Sequence, residues 1–186
     1  MPAHDLNILI ITRHGQTLGP VASALFRETT TLSSQAKVTS AATIPSHTLA
    51  PSIPMARTLS KVGIKLENYS SIPLTRELVD SSSHMLAQDD LLARELIKSF
   101  PEARSRIYLL NEWSLRDIVE PDLSDPQQIV ETITVLSEAI GGWCSAFNRE
   151  DRQPEPLLNE PNRQKEPGLM TRSNDHNLRQ NNPGSH

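Results

Sequence analysis

Cysteine is almost missing from this chain: Cys144 is the only one among 186 residues. That count excludes an internal disulfide framework and a cysteine-based metal cluster, and no His, Asp and Glu cluster has metal-ligand spacing either. Long apolar runs are missing too, since nothing approaches the roughly 18 residues that mark a membrane-spanning helix. Met1-Pro2-Ala3-His4-Asp5 is too short and too polar for a targeting segment, so no membrane partner is expected and a reducing cytoplasm is the expected compartment. Basic blocks are absent as well. A formal net charge of -4 and an isoelectric point near 5.9 speak against nucleic acid as a partner. Aromatic residues make up only 4%, with two Trp and two Tyr, so a site walled by rings has little to draw on.

What is present suffices for one globular core. With 37% hydrophobic residues the chain can bury a core of about 100 to 150 residues, which suggests one domain over 1–148 and a tail over 149–186. Strand-like runs alternate with helical ones, the pattern of a parallel sheet between helices. Ile8-Leu9-Ile10-Ile11 suits a strand covered on both faces, followed by strands at Lys37 to Ala41, Ser83 to Ala87 and Arg106 to Leu110. Helices are expected from Pro20, from Met55 to Val62 with Gly63 as the stop, and around Leu74 to Val79. Asp89 caps a further helix with Leu91, Leu92, Leu96 and Ile97 on one face until Pro101. Asp125-Pro126 opens the last, with Ile129, Ile133, Leu136 and Ile140 on one face until Gly141-Gly142. Thr43 to Pro54 reads as an irregular loop, and no internal repeat is visible. Beyond Phe147, Asn, Gln, Arg, Glu and Pro dominate. The few apolar residues there cannot offset the entropy of ordering, so the tail is expected to be disordered, although its prolines suit a weak partner motif.

Chemistry concentrates between the first strand and the first helix. The loop Thr12, Arg13, His14, Gly15, Gln16, Thr17, Leu18 and Gly19 leads into Pro20, which is pre-set for a helical first turn whose free amides attract anions. Backbone N–H groups from Arg13 to Gly19 then form a candidate oxyanion cradle, with Arg13 or His14 as side-chain donors. Phosphate or a phosphorylated ligand is the implied occupant, and a protein partner on the same surface is the companion expectation. His14 has a plainer reading as a partly buried loop residue. His84 reads as a core or strand-edge residue, and Cys144 as a small core residue near the end of the last helix.

The order of the pieces carries a resemblance. The strand, the eight-residue loop, Pro20-Val21-Ala22-Ser23-Ala24-Leu25-Phe26, Ser40-Ala41-Ala42 and Gly63-Ile64 come first. Leu74-Thr75-x-Glu77-Leu78-Val79, His84-Met85-Leu86, Phe100-Pro101, Leu109-Leu110 and Asp117-Ile118-Val119-Glu120-Pro121 follow. Together, over about Leu6 to Trp143, they resemble the low-molecular-weight protein tyrosine phosphatases. The resemblance implies an α/β three-layer sandwich with a four-stranded parallel sheet and no cofactor. It also implies an active loop of the form Cys-x5-Arg-Ser/Thr before the proline. In this chain Thr12 stands where the nucleophilic cysteine belongs, Leu18 where the phosphate-binding arginine belongs, and Gly19 where the hydroxyl belongs. A threonine hydroxyl has no ionised fraction comparable with a thiolate near neutral pH, and leucine cannot imitate a bidentate guanidinium grip. The family's general acid, an Asp before Pro, has Glu120-Pro121 as its counterpart, with Asp125-Pro126 as a second candidate. Without a nucleophile, Glu120 becomes a vestigial acid position with a structural or solvated role, and the chain reads as a pseudophosphatase. Arsenate reduction, which uses the same fold, needs cysteine thiols that are lacking. Trp113 is the only aromatic near Glu120 in sequence, which leaves a phosphotyrosine pocket without walls.

The same loop supports a rival. Arg13-His14-Gly15-Gln16-Thr17 matches the Arg-His-Gly-x-Thr signature of the histidine phosphatase superfamily, and an apolar strand precedes it as that family requires. There the histidine is phosphorylated and the arginine binds phosphate, because neutral imidazole is a nucleophile at pH 7. An active phosphatase using His14 is therefore the alternative function. Pro20 stands where that family usually has Asn, and none of the other histidines lies in its Gly-rich setting.

Overall fold

Four consecutive apolar residues are explained by a strand whose side chains alternate between two cores. In β1 (Asn7–Thr12), Ile8 and Ile10 enter one buried cluster while Leu9 and Ile11 enter the other. The computed structural model describes residues 6–29, 36–44, 50–66 and 69–148. The expected tail at 149–186 lies outside the described residues, as do 45–49 of the loop expected after the second strand.

The elements follow the chain as β1, α1 (Leu18–Thr29), β2 (Lys37–Ala42), α2 (Ile53–Ser60), β3 (Ile72–Pro73), α3 (Arg76–Ser81), β4 (His84–Ala87), α4 (Asp90–Ser99), a 3-10 segment (Pro101–Arg106), β5 (Ile107–Leu109) and α5 (Pro126–Phe147). Every strand pairing is parallel, in the order β3-β2-β1-β4-β5. The α/β three-layer sandwich is as expected: α1, α2 and α5 cover one face, and α3 and α4 the other. The sheet has five strands rather than four. The added β3 is a two-residue edge strand pairing Ala41 with Ile72 and Ala42 with Pro73, and two residues ending in proline carry no readable alternation.

Several boundaries move for identifiable reasons. α1 begins at Leu18, two residues before Pro20, which still lies in the first turn where its missing N–H costs nothing. α2 is displaced toward the N-terminus, and Gly63, at φ 87, provides the left-handed residue beyond its end. The turn around Leu74 to Val79 becomes α3, capped by the Thr75 hydroxyl. Asp89 caps α4 by accepting from the Leu92 N–H at 2.7 Å. Leu91, expected on the buried face, is 62% exposed, and the core face is Leu92, Ala93 and Leu96.

The largest departure is in α5. Asp125 caps it as expected, but the helix runs through Gly141-Gly142 to Phe147. Gly142 lies against Trp113, whose Cβ would overlap any side chain placed there, so this glycine marks a close approach rather than a stop. Trp113 meets the fully buried Trp143 edge-on, and Trp143 Nε1 donates to the Leu110 carbonyl at 3.0 Å. Tyr108 and Phe147 complete this ring cluster, and His84 stacks on Tyr108. Cys144 is buried beside it, as read from the sequence. Among the described residues no helix is long and apolar enough to cross a membrane.

Candidate functional site

The chain enters the sheet at β1, extends to β2 and β3 on one side, then crosses to β4 and β5 on the other. The strand order therefore reverses around β1, and such a switch point leaves a crevice beyond the carboxyl end of that strand. The loop from Thr12 to α1 lies there. Thr43 and Ile44 N–H groups donate to the Thr12 and Arg13 carbonyls, both at 3.0 Å, and Ser52 N–H donates to the Gln16 carbonyl at 2.7 Å. Neighbouring segments thus grip the loop by its carbonyls. No turn or loop hydrogen bond among the described residues is donated by the N–H of His14, Gly15 or Thr17.

The loop side chains are largely engaged within the protein. Thr12 is fully buried, and its hydroxyl donates to the His14 carbonyl at 2.9 Å. Leu18 is fully buried and belongs to the larger apolar cluster with Val21 and Ala22. Arg13, named from the sequence as a replacement donor, is drawn toward α4. Its guanidinium pairs with Glu95 at 3.0 Å and Asp89 at 3.7 Å, and its N–H donates to Gln88 Oε1 at 3.1 Å. Its charge is already balanced by two carboxylates. His14 is exposed.

Beneath the loop, Ser40 and Ser71 hydroxyls share a buried hydrogen bond at 2.6 Å. A Cβ on Gly19 would stand 2.7 Å from Ser71 Oγ, and one on Gly15 would stand 3.0 Å from Ser71 Cβ. Close approach thus disfavours a side chain at Gly19 and leaves little room for one at Gly15. Ser40, Ser71, Gln88 and Glu95 were not picked out from the sequence. The usable signal was the pair Gly15 and Gly19, since two glycines in an eight-residue loop announce that something packs closely against it.

Glu120 comes to this loop from the segment before α5. The Thr17 hydroxyl donates to Glu120 Oε2, while Oε1 is buried with no hydrogen-bond partner among the described residues. Burial pushes the Glu120 carboxyl above its ordinary range, and the Thr17 hydroxyl and the charge of His14 offset part of that rise. The alternative acid, Asp125, is engaged in capping α5 through the N–H groups of Gln127 and Gln128. Cys144 offers no substitute nucleophile, because burial pushes its thiol up to about 11. His84 is held between the Tyr108 and Phe147 rings. Among the described residues no group of three or more His, Cys, Asp and Glu side chains could hold a metal ion.

A parallel sheet with a glycine-bearing loop at its switch point and a carboxylate returned to that loop defines an α/β domain with its candidate site at the carboxyl end of the central strand. Residues 7–153 match the family described as low molecular weight phosphotyrosine protein phosphatase, and the chain belongs to that family. Solved structures agree on the fold. A YwlE mutant from Bacillus subtilis is 22% identical with a TM-score of 0.68, covering 77% of this chain and 99% of its own. The tyrosine phosphatase Wzb from Escherichia coli K30, in complex with sulphate, is 20% identical with a TM-score of 0.68, covering 75% and 96%. A protein tyrosine phosphatase from Entamoeba histolytica is 16% identical with a TM-score of 0.70, covering 83% and 99%. No curated protein sequence matches the chain.

Proposed function

We propose that this chain is a catalytically silent member of its family that keeps the loop as a binding site. The ligand is phosphate, a phosphorylated molecule or another small oxyanion, and a protein partner presenting such a group would use the same surface. The observation that carries the reading is the condition of Thr12 and Leu18. Attack on phosphorus needs an ionised nucleophile facing the ligand, and Thr12 is fully buried with its hydroxyl engaged by the His14 carbonyl. Holding the equatorial oxygens needs a planar cation, and Leu18 is packed into apolar side chains. Binding is supported by the loop N–H groups of His14, Gly15 and Thr17 and by the α1 N-terminus. The sulphate carried by the Escherichia coli K30 enzyme, which shares the fold, favours the same ligand class. A cytoplasmic location, inferred from the single cysteine, belongs to this reading.

The second reading makes His14 a phosphate-accepting nucleophile, and its exposure favours it. The ion pairs of Arg13 with Glu95 and Asp89 weigh against it, because that chemistry needs the arginine on the phosphate. Steady-state hydrolysis of an aryl phosphate across pH, run beside His14→Ala, separates the two. We expect no turnover above buffer for either protein. Turnover that disappears in His14→Ala would overturn the silent-member reading in favour of the second.

A further inference from the structure

Glu120 is a half-buried acidic group that a silent site has no use for as a proton donor, yet it is fastened to the loop. Its Oε2 accepts from Thr17, a residue of the cradle itself, and its Oε1 is buried without a partner among the described residues. A solvated leftover carboxylate has no reason to adopt that arrangement, since each desolvated oxygen left unpaired is costly. Glu120 also lines a groove of about 370 Å³, together with Arg116, Val119, Pro121, Thr132 and Val135.

We propose that Glu120 is a built-in plug: its carboxylate, held by Thr17, occupies the rim of the oxyanion cradle and must be neutralised or turned into the groove before an anion binds. The proposal rests on the anion-binding reading and adds its regulation. Thr17 belongs to the loop itself, so a carboxylate held on its hydroxyl and an oxyanion taken up by the neighbouring loop N–H groups repel one another at short range in a site partly shielded from water, and ligand and plug exclude each other. Several charged groups bear on the plug. His14 faces it from the loop, and its positive form favours the charged plug. Arg116 and Asp117 flank it on its own segment, and Glu131 of α5 lines the groove. Arg116 is already paired with Glu131 at 2.7 Å, which limits its pull on Glu120. Protonation of Glu120 removes the repulsion, so anion binding strengthens as pH falls.

The test is calorimetric titration of the full chain with sulfate, whose charge is constant between about pH 5 and about pH 8, against wild type, Glu120→Gln and His14→Gln. Glu120→Gln nearly preserves shape and removes the charge. At about pH 8 it is expected to bind sulfate about tenfold more tightly than wild type. Wild type is expected to approach the variant as the pH falls, and His14→Gln, which removes a side-chain donor of the loop but leaves the plug, is expected to bind more weakly overall while still gaining affinity as the pH falls. Equal or weaker binding by Glu120→Gln at every pH overturns the plug while leaving the anion site standing. Loss of the pH gain in His14→Gln also overturns it, by assigning the titration to His14. Sulfate binding by none of the three overturns both the plug and the reading beneath it.

Discussion

Gly19 and Ser71 share a single space between them. Restoring the family's hydroxyl by Gly19→Ser places a Cβ 2.7 Å from Ser71 Oγ and 3.2 Å from Ser40 Cβ. Overpacking of this kind costs about 1–3 kcal/mol. Ser71→Ala removes the obstructing oxygen but orphans the buried Ser40 hydroxyl, at about 1 kcal/mol. Urea unfolding of both single variants and the double is expected to give a double cost below the sum of the singles, and strict additivity would refute the shared-space account. Glu120 makes a second prediction. Its folded-state pKa is raised by burial, so its contribution to stability is fully present below the unfolded carboxylate value and is lost as pH rises through the raised one. Glu120→Gln should therefore gain stability relative to wild type between acid and neutral pH, and urea midpoints that keep a constant offset would refute this. That Glu120 belongs with the loop is legible from its place before Pro121 in the resemblance, and the structure brings it to Thr17. Ser71, Gln88 and Glu95 were not legible, because each reaches the loop from an element more than 50 residues away, and no local pattern encodes that meeting.

Among elements, α5 separates what pattern can reveal from what it cannot. Its start follows from Asp125-Pro126 and its buried face from Ile129, Leu136 and Ile140, all local signals. Its end was misread because glycine costs helix stability, and two in a row usually stop one. Tertiary packing reversed that rule, since Trp113 needs the space at Gly142. The two glycines therefore predict opposite outcomes. Gly141→Ala, with nothing within 4 Å of the added Cβ, should raise stability by about 0.5–1 kcal/mol through helix propensity. Gly142→Ala carries the same propensity gain but drives its methyl into Trp113, with a net loss of about 1–3 kcal/mol. Thermal unfolding should move the two melting temperatures in opposite directions, and a shared direction would refute the packing account. Leu91 and β3 follow the same logic. A four-leucine-type stripe is wider than the face α4 buries, and β3 exists only through its pairing with β2.

The whole molecule has the parallel α/β architecture of its family, and the sheet and the candidate loop are held by largely different interactions. The sheet rests on two apolar clusters that involve neither the loop N–H groups nor Glu120. The surroundings of the loop fit the residues it has. Leu18 is part of the larger cluster, Gly19 accommodates Ser71, and Glu120 is fastened to Thr17. On the proposed correspondence with the Cys-x5-Arg-Ser/Thr loop, Thr12→Cys, Leu18→Arg and Gly19→Ser together set a guanidinium against a packed apolar core and a side chain against Ser71. A buried, unpaired guanidinium costs about 3 kcal/mol or more, and the serine clash adds to it. The triple variant is expected to unfold at markedly lower urea than wild type and to hydrolyse aryl phosphate no faster than buffer. Wild-type stability together with turnover would mean that the scaffold still accepts the old chemistry, and that the loop's neighbours had never adapted to its loss.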